Sequence, residues 1–404
     1  MPVVIVGAGP GGLMAAETLA NLGHAVTVFD QRRSPARKFV LAGRGGLNIT
    51  HSEEIEPFLD RYGPERAYLE AAIRGFTPDD LRAWVAELGE ETFEGSSGRV
   101  FPRSFRAVPL LRAWLRRLQE SGVQFELGHR WLGWDSSASD GGRAMRFEDV
   151  TNNSEKVVPF DVAVVALGGA SWPKVGSDGS WVDIVRAQGV AVEALRPANC
   201  GVQVVWSEVM VQKFAGAPVK NAAVVVDGVV VRGDPVVSAG GLEGGPVYAH
   251  SRALREALDR DGQAELQIDL FPDLDVGDLV RRLVERRQKK KSTSTWLRRC
   301  GFSPVGAALL REATGNTLPD DVDELGELAK AVPIAVTQMA SIDRAISSAG
   351  GVAWSEVDEN FQLRKMPGTY VVGEMLDWEA PTGGYLLQAV LSTARAATTS
   401  VGTP

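Results

Sequence analysis

Pro2-Val3-Val4-Ile5-Val6-Gly7-Ala8-Gly9-Pro10-Gly11-Gly12 runs directly into Leu13 to Leu22, and a second apolar stretch from His24 to Phe29 closes on Asp30. The spacing predicts a strand, a glycine turn, a helix, a second strand and an acid. Each part has a mechanical reason: Gly7 permits the tight turn, Gly9 leaves room for a pyrophosphate against the backbone, and Gly12 lets the helix lie close on the strand. Pro10 and Gly11 complete the turn. The free N–H groups and positive dipole end of the helix then face the phosphates. Asp30, about 20 residues past the glycines, stands where an acid accepts the hydrogen bonds of an adenosine ribose. Gln31, Arg32 and Arg33 follow it at once.

A chain of 404 residues is past the size at which one core keeps growing, so two or three domains are expected. The formal net charge of -8 argues against nucleic acid or an anionic membrane as the main partner and favours a small molecule. With the first strand starting at Pro2, no charged and apolar leader is expected. No later apolar run approaches the roughly 20 residues of a membrane span, so the expectation is a cytoplasmic protein. The two cysteines, Cys200 and Cys300, lack CxxC spacing, and no metal site is expected.

Further along, Arg37-Lys38 leads to Ala42-Gly43-Arg44-Gly45-Gly46-Leu47-Asn48-Ile49-Thr50-His51-Ser52, too rich in glycine to be expected as helix or strand. It reads either as a surface loop or as a loop whose backbone approaches a ligand. Thr77 as N-cap, Pro78 after it and the stripe Leu81, Trp84, Val85, Leu88 predict a scaffold helix over 77–89; another is expected over Pro109 to Glu120. Strands are expected at Val123 to Leu127, Met145 to Phe147 and Val157 to Leu167, the last ending at Gly168-Gly169. From Arg196 the style changes. Asp227-Gly228 between two valine runs signals a hairpin, Glu265 to Leu270 reads as a strand, and Gly240 to Gly245 reads as a loop. Val276, Leu279, Val280, Leu283 and Val284 stand at helix spacing, with a basic run from Arg281 to Lys291 on the same segment. Near the C-terminus, Tyr370-Val371-Val372-Gly373-Glu374 and then Thr382-Gly383-Gly384-Tyr385 supply a strand ending in an acid and a second glycine turn opening a helix. The acid can bind sugar-like hydroxyls while the helix N-terminus stabilises negative charge on a reduced ring. A flavin has both needs.

Gly43 to Ser52, Gly98-Arg99-Val100-Phe101-Pro102, Gly168 to Gly179, and Gly373 to Asp377 with Thr382 to Gln388 give the chain a resemblance. It resembles the FAD flavoproteins of the glutathione-reductase type, and within them the three-domain family that includes aminoacetone oxidase and the bile-acid ring reductases. The resemblance implies an α/β fold: a Rossmann-like FAD-binding domain with an inserted β-barrel and helical subdomain. The FAD domain would take residues 1–190 and 335–404, the barrel 191–274 and the helical subdomain 275–334. Candidate cofactor contacts are the first turn with Asp30, Gln31 and Arg32; then Lys38, Gly43, Arg44, Gly45, Gly46 and Asn48; then Gly168, Gly169, Gly373 and Glu374; and finally Gly383, Gly384, Tyr385 and Gln388. His51 is the candidate for handling a proton or orienting substrate. The expected activity is an FAD-dependent oxidoreductase transferring a hydride between a small organic substrate and flavin N5, with oxygen or NAD(P)H as second partner. The rival is a flavin-dependent RNA-modifying or RNA-binding protein, supported by the Arg281 to Lys291 run.

Overall fold

The computed structural model describes residues 1–135, 143–288 and 291–402, so Lys289 and Lys290 of the basic run lie outside the described residues. The chain divides into two compact units, Met1–Arg196 with Ser347–Pro404, and Pro197–Ile346.

In the first unit, five strands pair in the order Thr369–Val371, Val162–Val165, Pro2–Val6, Ala25–Asp30, Gln124–Leu127, every pairing parallel. Val3 to Val6 and Val162 to Val165 are buried throughout, as two-sided coverage by helices requires of a parallel sheet. The helix Pro10–Asn21 packs along the C-terminal helix Tyr385–Thr399, with Gly11 facing Val390. The scaffold helix is Pro78–Glu87, started by a capping box between Thr77 and Asp80. Its neighbour Ala107–Glu120 begins two residues ahead of the expected Pro109.

A buried carboxylate joins these helices. Glu17, 5% exposed, accepts hydrogen bonds from Trp84 Nε1 at 3.2 Å, Trp114 Nε1 at 2.6 Å and Arg117 Nη1 at 3.0 Å. An acid on the glycine-turn helix thereby satisfies one donor on the scaffold helix and two on its neighbour. Its charge is compensated by the guanidinium, which is the condition for burying it.

Two expectations for this first unit need correction. The stretch Val157 to Leu167 is not one strand. Glu155–Pro159 closes an antiparallel meander with Ala144–Asp149 and His129–Trp134, and Val162–Val165 enters the parallel sheet. Pro159 offers no N–H to extend a ladder, and the Asp161 N–H is taken by the Pro2 carbonyl at 3.0 Å. The segment after Lys38 does form regular structure: a helix Arg37–Ala42, a 3-10 turn Gly43–Gly45, and a strand Thr50–His51 paired with Arg99–Pro102. Leu47, Ile49 and Thr50 are buried, and that burial anchors a segment whose glycines alone read as loop.

The second unit holds two four-stranded antiparallel sheets. One has the order Val229–Gly233, Ala222–Val226, Ala264–Asp269, Val332–Val336; the other Val236–Ser238, Gly241–Glu243, Val202–Gln203, Gln338–Met339. Asp227 and Gly228 both take positive φ, 48° and 77°, as a two-residue hairpin turn of this hand demands. The helices Val276–Arg286, Pro304–Ala313 and Val322–Lys330 bury Leu279, Leu309 and Leu325 in one core with Val224 and Leu266 of the strands. They share it because Val332–Val336 follows them and returns to pair with Ala264–Asp269. Gly240 to Gly245, expected as a loop, contains the strand Gly241–Glu243, where any Cβ on Gly241 would overlap the Val202 carbonyl. Both cysteines are buried and neither is in a disulfide, and among the described residues no helix is long and apolar enough to cross a membrane.

Replacing Glu17 with Ala leaves two indole N–H groups without their acceptor and removes the nearer of the two carboxylates beside Arg117. The expected cost is about 3 kcal/mol, read from urea denaturation of the full chain, with Glu17→Gln costing less because one acceptor oxygen remains. A loss below about 1 kcal/mol for Glu17→Ala would show that the carboxylate does not hold the helices together.

Candidate functional site

The three motif glycines of the first turn are glycine for different reasons. At Gly7, with φ of 103°, a side chain would be strained and would overlap the Ala166 carbonyl; at Gly12 it would overlap the carbonyl of Gly7 itself. Gly9 is different. Its backbone is extended, φ -78° and ψ 178°, and a Cβ there would meet nothing within 4 Å. The fold requires glycine at positions 7 and 12, whereas at position 9 glycine leaves free space in front of a helix N-terminus that has no side-chain cap. That space suits a group bearing negative charge.

Asp30 fixes this turn from the next strand. Its Oδ2 accepts from Ala8 N–H at 2.8 Å and its Oδ1 from Arg32 N–H at 2.7 Å. Burial raises the carboxyl above its usual range, against the pull of those two N–H groups. Gln31 donates to the Gly176 carbonyl at 3.2 Å and Arg32 to the Pro173 carbonyl at 3.0 Å, so both side chains hold the loop that follows Gly168-Gly169.

Lys38, Gly168, Gly169 and Glu374 come together. The Lys38 ammonium donates to Ser171 Oγ at 2.6 Å and Glu374 Oε2 at 2.8 Å, while Ser348 N–H donates to Glu374 Oε1 at 2.9 Å. A Cβ at Gly169 would lie 3.5 Å from the Glu374 carboxyl carbon. The acid expected to receive hydroxyls is therefore held by one cation and one amide, with both oxygens retaining acceptor capacity. Ser171 and Ser348 were not among the expected contacts; Ser171 sits inside a quoted stretch, and Ser348 carries no sequence signal.

Other candidates are placed differently. His51 has both ring nitrogens turned to backbone groups: Nδ1 lies 3.2 Å from the Glu53 N–H and Nε2 lies 2.9 Å from the Ser97 carbonyl, with the Glu53 carboxylate 3.7 Å from Nδ1. Both nitrogens are thus engaged by backbone groups of the surrounding loop. Gln388 is fully buried, its amide used by Thr50 Oγ1, the Phe76 carbonyl and Ser392. Asn48 donates to the Thr50 and Val100 carbonyls. Gly43 abuts Ala107, Gly46 abuts Phe105, and Gly45, like Gly9, faces open space; Arg44 lies between them in the same turn. Gly373 turns the chain at φ 68°, and Gly383 and Gly384, at φ 135° and 100°, open the C-terminal helix.

The residues at that helix start form a cluster the sequence did not reveal. Tyr385 donates its hydroxyl to Glu53, Arg61 pairs with Glu53 at 2.7 Å, and Tyr62 donates to the Tyr385 carbonyl at 2.8 Å. The His51 ring stacks on Tyr385 at 5.4 Å. Burial pushes the Glu53 carboxyl up, but hydrogen bonds from Arg61 and Tyr385 outweigh it and leave the group below its usual range. Burial, then Glu53 itself, keep the Tyr385 phenol protonated far above neutral pH. Among the described residues no group of acids, histidines and cysteines is arranged to hold a metal ion.

The family model described as the HI0933-like protein Rossmann domain matches residues 1–400. A 3-dehydro-bile acid delta(4,6)-reductase of Clostridium scindens is 25% identical over 95% of this chain and 95% of its own length. A ribosomal RNA dihydrouridine synthase of Escherichia coli is 24% identical over 97% of this chain and 95% of its own. Among solved structures, a 3-ketosteroid-delta4-(5alpha)-dehydrogenase from Rhodococcus jostii superposes with a TM-score of 0.52 at 15% identity, covering 98% of this chain and 96% of that one. At that identity the likeness is one of fold.

The Glu53 cluster predicts a pH dependence. Because this carboxyl titrates lower in the folded protein than the ordinary 4.5, its contribution to stability is full above that value and is lost as pH falls through the folded value. The gap in melting temperature between wild type and Glu53→Gln is expected to hold steady from neutral pH to about pH 5 and to close on further acidification. A gap that widens in acid would contradict the assignment.

Proposed function

The chain belongs to the HI0933-like protein Rossmann-domain family, and on that footing we propose how it works: it is an FAD-dependent oxidoreductase that moves a hydride between a small organic substrate and flavin N5. The observation that carries the reading is Gly9, the one glycine of the first motif whose missing side chain faces open space. The first-turn N–H groups and Gly9 would hold the pyrophosphate. Asp30, already fixed by Ala8 and Arg32, would accept from the adenosine ribose. Glu374, with Lys38 beside it, would accept from the ribityl hydroxyls. The start of the C-terminal helix after Gly384 would face negative charge on the reduced ring. Bound there, FAD supplies the two-electron redox chemistry, and the protein supplies its seat and orientation. The relative named as a bile-acid reductase supports the reductive direction; NAD(P)H would then be the second partner, and oxygen takes that place if the enzyme runs as an oxidase.

A second reading draws on the relative named as a ribosomal RNA dihydrouridine synthase and on the basic helix Val276–Arg286. Several of those cations are engaged within the unit: Arg281 pairs with Asp278, Arg286 donates to the Arg299 carbonyl at 2.5 Å, and Arg287 lies 4.7 Å from the Trp296 ring centre. Retention on immobilised ribosomal RNA that falls steeply with salt would favour it; indifference to RNA would leave the small-molecule reading.

Two substitutions test the cofactor seat. Gly9→Val is compatible with the extended backbone at this position and meets no protein atom at its Cβ, so the protein is expected to stay soluble and folded while losing its yellow colour. Stoichiometric flavin retained in that variant would refute the reading. Asp30→Ala should weaken FAD by about 1 to 3 kcal/mol, the range for polar groups left unpaired, and bring its affinity towards that of FMN. An equal loss for both flavins, followed by fluorescence titration, would place Asp30 away from the adenosine half.

A further inference from the structure

On the outer face of the small sheet made by Thr50–His51, Arg99–Pro102 and Thr92–Glu94, strand alternation buries Val100 and Pro102 and turns Arg99 and Phe101 the other way. Phe93 stands directly opposite Phe101, and Phe105 closes the group: ring centres are 5.8 Å apart for Phe93 and Phe101, and 5.1 Å from Phe105 to each of the others. Phe105 is unusual twice over. It is 46% exposed, and it sits in the left-handed backbone region at φ 58°, a conformation that a bulky side chain rarely adopts. Its ring packs on two others yet leaves nearly half its surface exposed, at a backbone conformation more often taken by glycine or asparagine. A strained, half-exposed aromatic is the kind of outlier from which a functional hypothesis can be argued.

The location gives the face its occupant. A Cβ on Gly46 would come 2.8 Å from the Phe105 ring, so the stack adjoins the Gly45-Gly46 turn; at the other end, the Arg99 Nε lies 3.9 Å from where a Cβ on Gly383 would be. The aromatic face thus adjoins the Gly45-Gly46 turn, and Arg99 beside it adjoins the Gly383-Gly384 turn that opens the C-terminal helix assigned above to the reduced ring. Arg99 is exposed and forms no ion pair among the described residues. Its guanidinium would suit a carbonyl oxygen or a carboxylate.

We infer that Phe93, Phe101 and Phe105 seat the apolar rings of the substrate and that Arg99 receives its oxygen-bearing end. The substrate class is then a flat, ring-bearing carbonyl or carboxylate compound. This rests on the FAD reading above and deepens it, because an exposed aromatic stack bordered by one cation matches a ligand with an apolar body and one polar end.

The test titrates FAD-loaded protein with 2-naphthoate, its neutral ketone counterpart 2-acetonaphthone and the open-chain hexanoate, following the flavin absorbance spectrum. Naphthoate is expected to bind saturably and at least about tenfold more tightly than hexanoate. Phe105→Asn, which tolerates the left-handed backbone, should weaken both naphthalene ligands about tenfold while retaining FAD and melting temperature. Phe101→Leu, which keeps an apolar side chain in the same place, should show the same loss. Arg99→Gln should weaken naphthoate far more than acetonaphthone. Naphthoate affinity indifferent to both phenylalanine changes overturns the inference, as does loss of FAD from Phe105→Asn, which would make the stack part of the cofactor seat. Wild-type protein that binds no FAD overturns this inference together with the function beneath it.

Discussion

The carbonyl oxygen of Gly7 occupies the space that a side chain on Gly12 would need, and the placement of the candidate site follows from that close approach. It brings the glycine-turn helix down onto the end of the first strand. From there Glu17 can reach the indoles of Trp84 and Trp114, and Gly11 can lie against Val390 of the C-terminal helix. Residues from both ends of the sequence are thereby fixed in one unit. Glu374, contributed after residue 346, meets Lys38 near the start of the chain because the strand Thr369–Val371 pairs parallel to Val162–Val165, which pairs parallel to Pro2–Val6.

Four carboxylates show how one residue type is given different work by its surroundings. Glu17 and Glu53 are engaged mainly by side-chain donors, two indoles and an arginine in one case, an arginine and a phenol in the other; both tie helices and loops together. Asp30 accepts from backbone amides alone, and Glu374 from one amide and one lysine, which leaves lone pairs on each for hydroxyl donors of a ligand. A carboxylate held rigid before its ligand arrives loses less freedom on binding, which favours affinity.

The parts of this arrangement that depend on local backbone chemistry were legible in the sequence. The first turn, the Thr77 cap, the Asp227-Gly228 hairpin and the second glycine turn each have a residue whose φ, side chain or lack of one dictates the local shape. Features that depend on distant partners were not. The sequence offers His51 as a candidate proton carrier but says nothing of the Ser97 carbonyl and the Glu53 amide that the fold brings to its two nitrogens. Nor does the sequence show that Thr50 and Phe76 bind the amide of the candidate Gln388. The segment 42–52 reads as loop because glycine dominates its composition, yet burial of Leu47 and Ile49 decides its structure. The same limit hid Glu53, Arg61 and Phe105, none of which belongs to a spacing pattern.

The central claim is that the first glycine turn and the acids Asp30 and Glu374 together seat one dinucleotide-linked flavin. Its most direct measurement is the identity and amount of flavin that the purified protein releases into the supernatant on heat denaturation, resolved by chromatography. The account predicts FAD, not FMN, approaching one equivalent per chain and freed without proteolysis because it is held noncovalently. Release of FMN, of a nicotinamide dinucleotide in place of a flavin, or of neither after saturation with FAD and removal of the excess would contradict it.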